Sequence, residues 1–217
     1  MYDKDDKLVV TSPKEIRLWD FYDHREEAPE LITAEQIGEN DEFTVDRVFI
    51  NKNSRCAALF VLVSSKNKFI LYTGRLEVKF SAELEDANEH VTAAAFNKDS
   101  SIVLIGTSLG KVFTYRVSDG ELDGNHFQAG AADISVTQLV TLSNIDENEA
   151  YLMTVGGKEL YVYVHNKKDS REIDFGEDGQ VYMGQDICNI QVASNNKFFM
   201  IGVPSKRAIG FFGLNRI

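Results

Sequence analysis

An aromatic residue that ends a short apolar strand recurs five times along this chain. The positions are Trp19, Tyr72, Tyr115, Tyr163 and Phe212, and successive positions are 53, 43, 48 and 49 residues apart. Each aromatic follows an apolar strand and a turn, as in LVVTSPKE before Trp19 and IVLIGTSLGK before Tyr115. A unit of this kind cannot cover its own apolar faces, so several copies must pack together. The period therefore predicts an all-β fold of about five similar antiparallel units.

Residues 91–120 are the clearest copy of the unit. Three strands are predicted there, at residues 91–96, 102–106 and 112–115. The first turn contains Asn97 and Asp99, whose side chains can hydrogen-bond to their own backbone. The second turn contains Gly110, which can adopt positive φ without steric cost. The copy is therefore predicted to be a meander of antiparallel strands joined by tight turns.

Other copies can be divided in the same way. The second is predicted to contain strands at residues 45–50, 56–63, 68–73 and 77–80. The fourth covers residues 136–164, with a long first turn at 144–149 and an outer strand at 171–175. Between the first and second copies, a polar and acidic stretch is predicted to form a loop with a short strand or helix around residues 31–32.

The IRLWD sequence that ends at Asp20 matches the signature of the WD-repeat family, and nearly the whole chain resembles that family of β-propellers. The resemblance implies blades of four antiparallel strands arranged in a ring. It is incomplete, because only Trp19 and Asp20 keep the Trp-Asp pair and the Gly-His before the first strand is absent. The Asp of the second hairpin is replaced by residues such as Pro13, Leu109 and Gly157. We therefore expect apolar packing alone to hold the blades.

The resemblance also sets the expected domain organisation. Residues 1–217 are predicted to form a single β-propeller domain or a portion of one, with third strands that end near residues 19, 72, 115, 163 and 212. Residues 7–20 supply only a second and a third strand, and three strands are predicted at residues 187–192, 198–203 and 208–212. Propellers have about four to eight blades. A portion of a seven-bladed ring is favoured over a complete ring of five blades.

Composition bounds the location of the protein. No apolar stretch approaches the roughly 18 residues of a membrane span, and the first residues, MYDKDDKLVV, lack the apolar region of a signal peptide. Cys56 and Cys188 fall in predicted strands of different copies, which favours buried thiols of a reducing compartment over a disulfide. A cytoplasmic or nuclear protein with no membrane partner is expected.

Charge is unevenly distributed along the sequence. The connectors between copies, residues 20–44, 73–90, 116–135 and 164–186, hold 24 of the 34 acidic residues and 7 of the 23 basic ones. The hairpins that precede the aromatics carry basic residues in all five copies: Lys14, Lys66, Lys68, Lys111, Lys158, Lys206 and Arg207. In a propeller these hairpins would lie on one face, near the mouth of the central channel.

Two interpretations of these basic hairpins remain open. Lysine at a turn is often present only for solubility. Alternatively, the summed field of the seven residues captures an acidic peptide or a phosphate-bearing ligand. Extended binding of RNA is not favoured, because the acidic connectors would repel a phosphate backbone that leaves the hairpins.

No catalytic or metal-binding motif stands out, and no cofactor is expected. GTSLGKV at 106–112 is one residue short of a phosphate-binding loop and lies in a hairpin instead of before a helix. Residues 174–185 resemble a calcium-binding loop, but Gly176 and Gln185 stand where ligands should be. The four histidines are far apart, and Cys56, although next to Arg55, is expected to be structural and not a nucleophile.

The sequence thus favours a non-catalytic scaffold of the WD-repeat kind that mediates protein–protein interaction within a multiprotein complex. A first alternative is a non-catalytic subunit of an RNA-modifying or RNA-processing complex, in which the basic hairpins help to hold phosphate. A second, less favoured, is an enzyme with its site at the channel mouth. The first two share a fold and differ in the ligand of the basic hairpins.

Overall fold

The computed structural model describes residues 7–20, 30–33, 43–51, 59–124, 126–129, 132–145, 148–164, 169–172, 186–193 and 198–213. This part of the chain is all-β and contains five antiparallel sheets, each built from strands that follow one another in sequence. Among these residues no helix has the length and hydropathy needed to cross a membrane.

Three of the sheets have four strands and two have three. The first sheet contains β1 (Lys7–Ser12), β2 (Glu15–Asp20) and β3 (Glu30–Thr33). The second contains β4 (Arg47–Ile50), β5 (Phe60–Ser65), β6 (Lys68–Thr73) and β7 (Val78–Glu83). The third contains β8 (Val91–Phe96), β9 (Ile102–Thr107), β10 (Lys111–Arg116) and β11 (Phe127–Gln128). The fourth contains β12 (Val136–Ile145), β13 (Asn148–Val155), β14 (Glu159–Val164) and β15 (Asp169–Glu172). The fifth contains β16 (Asn189–Val192), β17 (Phe198–Val203) and β18 (Ala208–Gly213).

The repeated aromatic occupies the same place in every sheet. It is the fifth residue of a six-residue strand in β2, β6, β10, β14 and β18, which we call the aromatic strands. Each aromatic strand pairs with the strand before it through a tight hairpin, and the residues opposite the aromatics are Leu8, Val61, Val103, Tyr151 and Phe199. The repeat found in the sequence is therefore a repeat of strand register.

Most predicted strand bounds agree with the structure to within three residues. The predicted strands at 68–73 and 198–203 coincide with β6 and β17, and the segment around residues 31–32 is a strand, β3. The prediction of a strand at 56–63 is shifted, because β5 begins at Phe60. Cys56 lies outside the described residues, as do Phe175 and most of the acidic stretch before β4.

The long turn predicted at residues 144–149 is wrong. β12 continues through Ile145, β13 begins at Asn148, and these two residues pair with each other. The reason is that a hairpin ladder uses backbone N–H and C=O groups and can continue through polar residues. The polar residues of this segment predict a turn at positions where Ile145 and Asn148 are paired, beyond a register shift between Leu142 and Ile145.

The chain divides into two compact units. The first is Met1–Val91 with Ser118–Gly120 and contains the first and second sheets. The second is Thr92–Val117 with Glu121–Ile217 and contains the third, fourth and fifth sheets, β8 from its second residue onward. Because side chains alternate along a strand, each sheet has two distinct sides. We call the side that carries the second and fourth residues of an aromatic strand the forward face, and the opposite side the aromatic face.

In the first unit, the core lies between the forward face of the first sheet and the aromatic face of the second. Ile16 and Leu18 of β2 are buried in one cluster with Val61, Ile70 and Tyr72 of the second sheet. Fully burying an aliphatic side chain contributes roughly 1.5–3 kcal/mol. This cluster is therefore the main source of stability for the pair of sheets.

The second unit repeats the arrangement twice. Val112, on the forward face of the third sheet, is buried with Tyr163 and Met153 on the aromatic face of the fourth. Leu160, on the forward face of the fourth sheet, is buried with Ile201 on the aromatic face of the fifth. Forward face against aromatic face is thus the packing rule within each unit.

Side-chain hydrogen bonds also join the sheets of the second unit, so the expectation that packing alone holds them is wrong. The Thr92 hydroxyl donates to the Val136 carbonyl at 2.6 Å. The Gln138 side chain accepts from the Ile190 N–H at 2.8 Å. These bonds satisfy backbone groups at the edges of the sheets that have no partner in the strand pairing. A buried backbone group without a hydrogen-bond partner costs about 1–3 kcal/mol.

Candidate functional site

The seven basic residues singled out from the sequence lie at the five hairpins that lead into the aromatic strands. Three of the turns contain one of them, namely Lys14, Lys66 and Lys158, and the turn of the fifth sheet contains both Lys206 and Arg207. Lys68 and Lys111 are the first residues of β6 and β10. The turn residues are Pro13 and Lys14, Lys66 and Asn67, Ser108 to Gly110, Gly156 to Lys158, and Pro204 to Arg207. Each of the five sheets therefore carries at least one basic residue in the turn before its aromatic strand or at the first position of that strand.

Two of the basic residues adopt backbone conformations that residues with a side chain rarely take. Lys66 has φ 52° and Arg207 has φ 49°, both in the left-handed region. The Lys66 N–H donates to the Asp46 carboxylate at 2.6 Å, and the Arg207 N–H donates to the Pro204 carbonyl at 2.9 Å. These bonds hold the two tight turns closed, and both side chains remain exposed.

In the first unit, the segment before β4 joins two of the hairpins. The Val45 N–H donates to the Pro13 carbonyl at 2.8 Å, beside Lys14. The next residue is Asp46, which accepts from Lys66. The structure therefore brings the turn of Lys14 and the turn of Lys66 to the adjacent residues Val45 and Asp46.

In the second unit, the segment before β12 joins the hairpins of Lys111 and Lys158. A Cβ added at Gly110 would lie 2.6 Å from the Ile134 carbonyl oxygen, so that turn is in close contact with this segment. The adjacent Ser135 carbonyl accepts from the Gly156 N–H at 2.8 Å. The turns of the third and fourth sheets are therefore neighbours.

The segment before β16 plays the same part for the hairpin of Lys158 and that of Lys206 and Arg207. The Ile187 N–H donates to the Gly157 carbonyl at 2.6 Å. The Cys188 N–H donates to the Gly202 carbonyl at 2.9 Å, two residues before the turn that begins at Pro204. Within the second unit, three consecutive basic hairpins are thus linked through the segments that enter the sheets.

Carboxylates accompany several of the basic residues. Lys68 forms an ion pair with Glu83 at 3.5 Å, and Lys158 approaches Asp186 at 3.9 Å. Both pairs are exposed, so each contributes at most about 1 kcal/mol, but they lower the local positive field. In the described ranges, Lys14, Lys66, Lys206 and Arg207 are exposed and have no ion pair. The field available to an anionic ligand is therefore expected to come mainly from these four side chains.

Asp46 and Asp186 belong to this region although no sequence motif marks them. Both stand just before the first strand of a sheet, Asp46 immediately before β4 and Asp186 three residues before β16. An acidic residue at that place, after a hairpin with a lysine in its turn, was the signal that could have indicated them.

The prediction that Cys188 is a buried thiol is wrong. The sequence predicts a buried thiol within a strand, whereas the structure shows a free and exposed cysteine that immediately precedes β16. The Cys188 N–H donates to the Gly202 carbonyl, but a place in this strand does not ensure burial, because Asn189 and Gln191 within β16 are exposed as well.

The described residues contain no group of three or more His, Cys, Asp or Glu side chains that could hold a metal ion. GTSLGKV forms the β9–β10 hairpin, so its backbone is committed to strand pairing. The calcium-like segment at 174–185 lies outside the described residues.

No family model matches the sequence, and no curated protein matches it either.

Proposed function

We propose that this protein is a non-catalytic scaffold of the WD-repeat kind, a β-propeller or a portion of one, that binds partner proteins within a multiprotein complex. The observation that carries the proposal is the repetition of one sheet design in five copies, each with a basic hairpin before its aromatic strand. Propellers are built by radial repetition of four-stranded antiparallel sheets. Such folds present wide, rigid surfaces and exposed turns to other proteins.

The packing within each unit supports a propeller arrangement. Forward faces meet aromatic faces in the same sense at each sheet-to-sheet core, as Leu160 and Ile201 do between the fourth and fifth sheets. A constant sense of packing is what a radial arrangement of blades requires. The scaffold function is inferred from the likeness of fold. Folds of this kind host many functions.

The ligand that we propose for the basic hairpins is an acidic peptide segment of a partner protein. Lys14 and Lys66 meet at one segment of the first unit, and Lys206 and Arg207 share one turn of the second. Closely spaced, exposed cations raise the local concentration of an anionic ligand and speed its association. The acidic connectors limit the length of polyanion that each unit can hold, which favours a short peptide over an extended nucleic acid.

Charge reversal tests this proposal. The probes are a fluorescein-labelled oligoglutamate peptide and a single-stranded RNA oligomer of similar net charge, each followed by fluorescence anisotropy at low and moderate salt. The double variants Lys14→Glu with Lys66→Glu, and Lys206→Glu with Arg207→Glu, should each weaken peptide binding by roughly tenfold, because they reverse exposed charges at the site.

The matched control reverses two exposed lysines outside the hairpins, Lys79 on β7 and Lys98 in the turn after β8. It changes the net charge by the same amount and should leave most of the affinity in place. Equal losses in the control and in the hairpin variants would mean that only overall charge matters, and the hairpins would then not be the site. Tighter binding of RNA than of peptide, lost in the hairpin variants, would favour the RNA-complex alternative.

A further inference from the structure

The fifth sheet leaves its forward face uncovered. Ile209 and Phe211 hold the second and fourth positions of β18 and are 63% and 65% exposed. At the same positions of the other four aromatic strands every residue is buried: Ile16, Leu18, Phe69, Leu71, Val112, Thr114, Leu160 and Val162. The second and fourth positions of the aromatic strand are thus buried in four sheets and exposed in the fifth.

A hollow of about 410 Å³ lies on the fifth sheet, and its lining includes Cys188, Gln191, Met200 and Ile209. None of these four side chains carries a charge, and those of Met200 and Ile209 are apolar. Arg207, from the adjoining turn, is also part of the lining. The uncovered surface is therefore concave and largely apolar, as expected of a surface that packs against a protein.

The first sheet leaves the opposite kind of face uncovered. Val10 of β1 pairs with Arg17, the third residue of β2, and is 44% exposed. The residues at the same place in the other four sheets have no exposed surface: Val63, Ile105, Met153 and Ile201. The aromatic face of the first sheet is thus open where the same face of the others is buried.

The two uncovered faces correspond to the two sides of the sheet-to-sheet contact that is found within each unit. Within the units, a forward face packs against an aromatic face in all three described cores between sheets. The fifth sheet offers a forward face, and the first sheet offers an aromatic face. We propose that the forward face of the fifth sheet binds the aromatic face of the first sheet of a second copy of this chain, so that copies associate head to tail.

Arg17 fits this contact. The third position of an aromatic strand holds Ile70, Tyr161 and Gly210 in the sheets whose aromatic faces are covered within a unit, so the contact accepts side chains of very different size. An exposed arginine can place its guanidinium over an aromatic ring, and Phe211 offers an exposed ring on the other half. The Arg17–Glu15 ion pair at 2.9 Å is itself exposed and need not be buried for this.

Head-to-tail association has two physical consequences. Because each copy uses a different surface on its two sides, association can continue beyond a pair unless the copies close into a ring. A net charge of −11 on each copy opposes association. Added salt should therefore strengthen this contact by screening the repulsion, whereas it should weaken binding at the basic hairpins.

Sedimentation velocity across a range of protein concentrations at moderate salt tests the proposal. The mass of the wild-type chain should rise above the 24.4 kDa of one copy as concentration increases. Phe211→Glu and Val10→Glu should each remain single copies. An equimolar mixture of these two variants should form pairs that grow no further, because one variant keeps the first-sheet face and the other keeps the fifth-sheet face.

The matched control is Val78→Glu, which places the same charge on an apolar residue of β7 that is 58% exposed and lies outside both faces. It should associate as the wild type does. Circular dichroism checks that each variant is folded, and Arg17→Glu replaces Val10→Glu if the latter unfolds. A wild-type chain that stays a single copy at every concentration would overturn the proposal. Association that survives Phe211→Glu, or variants that fail to pair when mixed, would overturn it as well.

Discussion

Phe127 of β11 stacks on Tyr163 of β14, with ring centroids 3.9 Å apart and ring planes inclined by 17°. Tyr163 also lies opposite Tyr151 in the strand pairing of the fourth sheet, at a centroid distance of 6.3 Å. β11 is only two residues long, and its two residues pair with Lys111 and Val112 of β10. The stack of Phe127 on Tyr163 therefore adds a contact with the fourth sheet to a short backbone pairing within the third.

Replacing the ring of Phe127 should weaken the contact of this strand with the fourth sheet. We expect Phe127→Ala to lower the free energy of unfolding by about 2–3 kcal/mol, somewhat less than for a fully buried Phe, because the side chain is half-buried. Urea denaturation measures the change. Leu122→Ala, at an exposed site on the same connector, is the control and should change stability by less than about 0.5 kcal/mol. Equal effects of the two substitutions would show that the stack contributes nothing.

Substitutions at Gly110 and Gly157 distinguish two ways in which replacing a turn glycine lowers stability, an unfavourable backbone conformation and a steric clash. Both have positive φ, 76° and 68°. A Cβ at Gly110 would lie 2.5 Å from Gln128 Nε2 and 2.6 Å from the Ile134 carbonyl oxygen, whereas nothing lies within 4 Å at Gly157. Gly157→Ala should cost about 1 kcal/mol for the backbone conformation alone. Gly110→Ala should cost at least about 1 kcal/mol more, because backbone must move.

Thermal or urea unfolding of the two glycine variants side by side decides the point. If Gly110→Ala were no more destabilising than Gly157→Ala, the close approach of the β9–β10 turn to the segment before β12 would not hold in solution.

The Tyr72 hydroxyl should be dispensable for stability. It is buried, and within the described part of the chain it has no hydrogen-bond partner. We expect Tyr72→Phe to raise the free energy of unfolding by about 1 kcal/mol, because an unsatisfied buried hydroxyl is removed and the ring is kept. A loss of stability in this variant would mean that the hydroxyl has a partner in solution.

The same residue predicts sensitivity to high pH. Burial raises the pKa of Tyr72 to about 12 from its ordinary value of 10.0. The folded state therefore holds the phenolic proton more tightly than the unfolded state, and the stability present below pH 10 is lost as pH rises towards 12. Tyr72→Phe should unfold at higher pH than the wild type. Part of the loss should remain, because burial and the charge of Asp123 also raise the pKa of Tyr163 to about 12.

Asp99 should stabilise the turn after β8 in a pH-dependent way. Its carboxylate accepts from the Ser101 hydroxyl at 2.6 Å and from the Ser101 N–H at 2.9 Å, and these bonds hold its pKa below the ordinary value. Asp99→Ala should cost about 0.5–1 kcal/mol at neutral pH. A lowered pKa means that this contribution is present above the unfolded-state pKa and is lost as pH falls through the folded-state pKa.

Urea denaturation at neutral and acidic pH measures this effect, with Glu85→Ala, an exposed carboxylate in another connector, as the control. A difference between wild type and Asp99→Ala that persisted unchanged in acid would contradict the role of the carboxylate.

Local features were accessible to sequence reasoning. The fifth-position aromatics, the hairpin before each of them and the strand β17 depend on alternation and turn residues within a few positions, so the sequence alone predicts them. The positions of the seven basic residues at hairpins follow for the same reason.

Features that depend on neighbouring sheets were not accessible. Cys188 and Val10 stand in segments whose local patterns resemble those of buried residues, yet both are exposed. Whether a face is covered depends on the next sheet along the packing direction, which the local sequence does not encode. The link from the turn of Lys14 to that of Lys66 through residues 45 and 46 is inaccessible for this reason also, since it joins positions that are 52 residues apart.

The construction of every sheet from strands that follow one another in the sequence also has a consequence for synthesis. No sheet needs a distant part of the chain to complete its strand pairing, so each can form on the ribosome once its own strands have emerged. Because a forward face is covered only by a later sheet in each described core, it is the surface that the nascent chain exposes first. Premature association during translation should therefore occur through forward faces, and slow translation just after an aromatic strand would prolong that exposure.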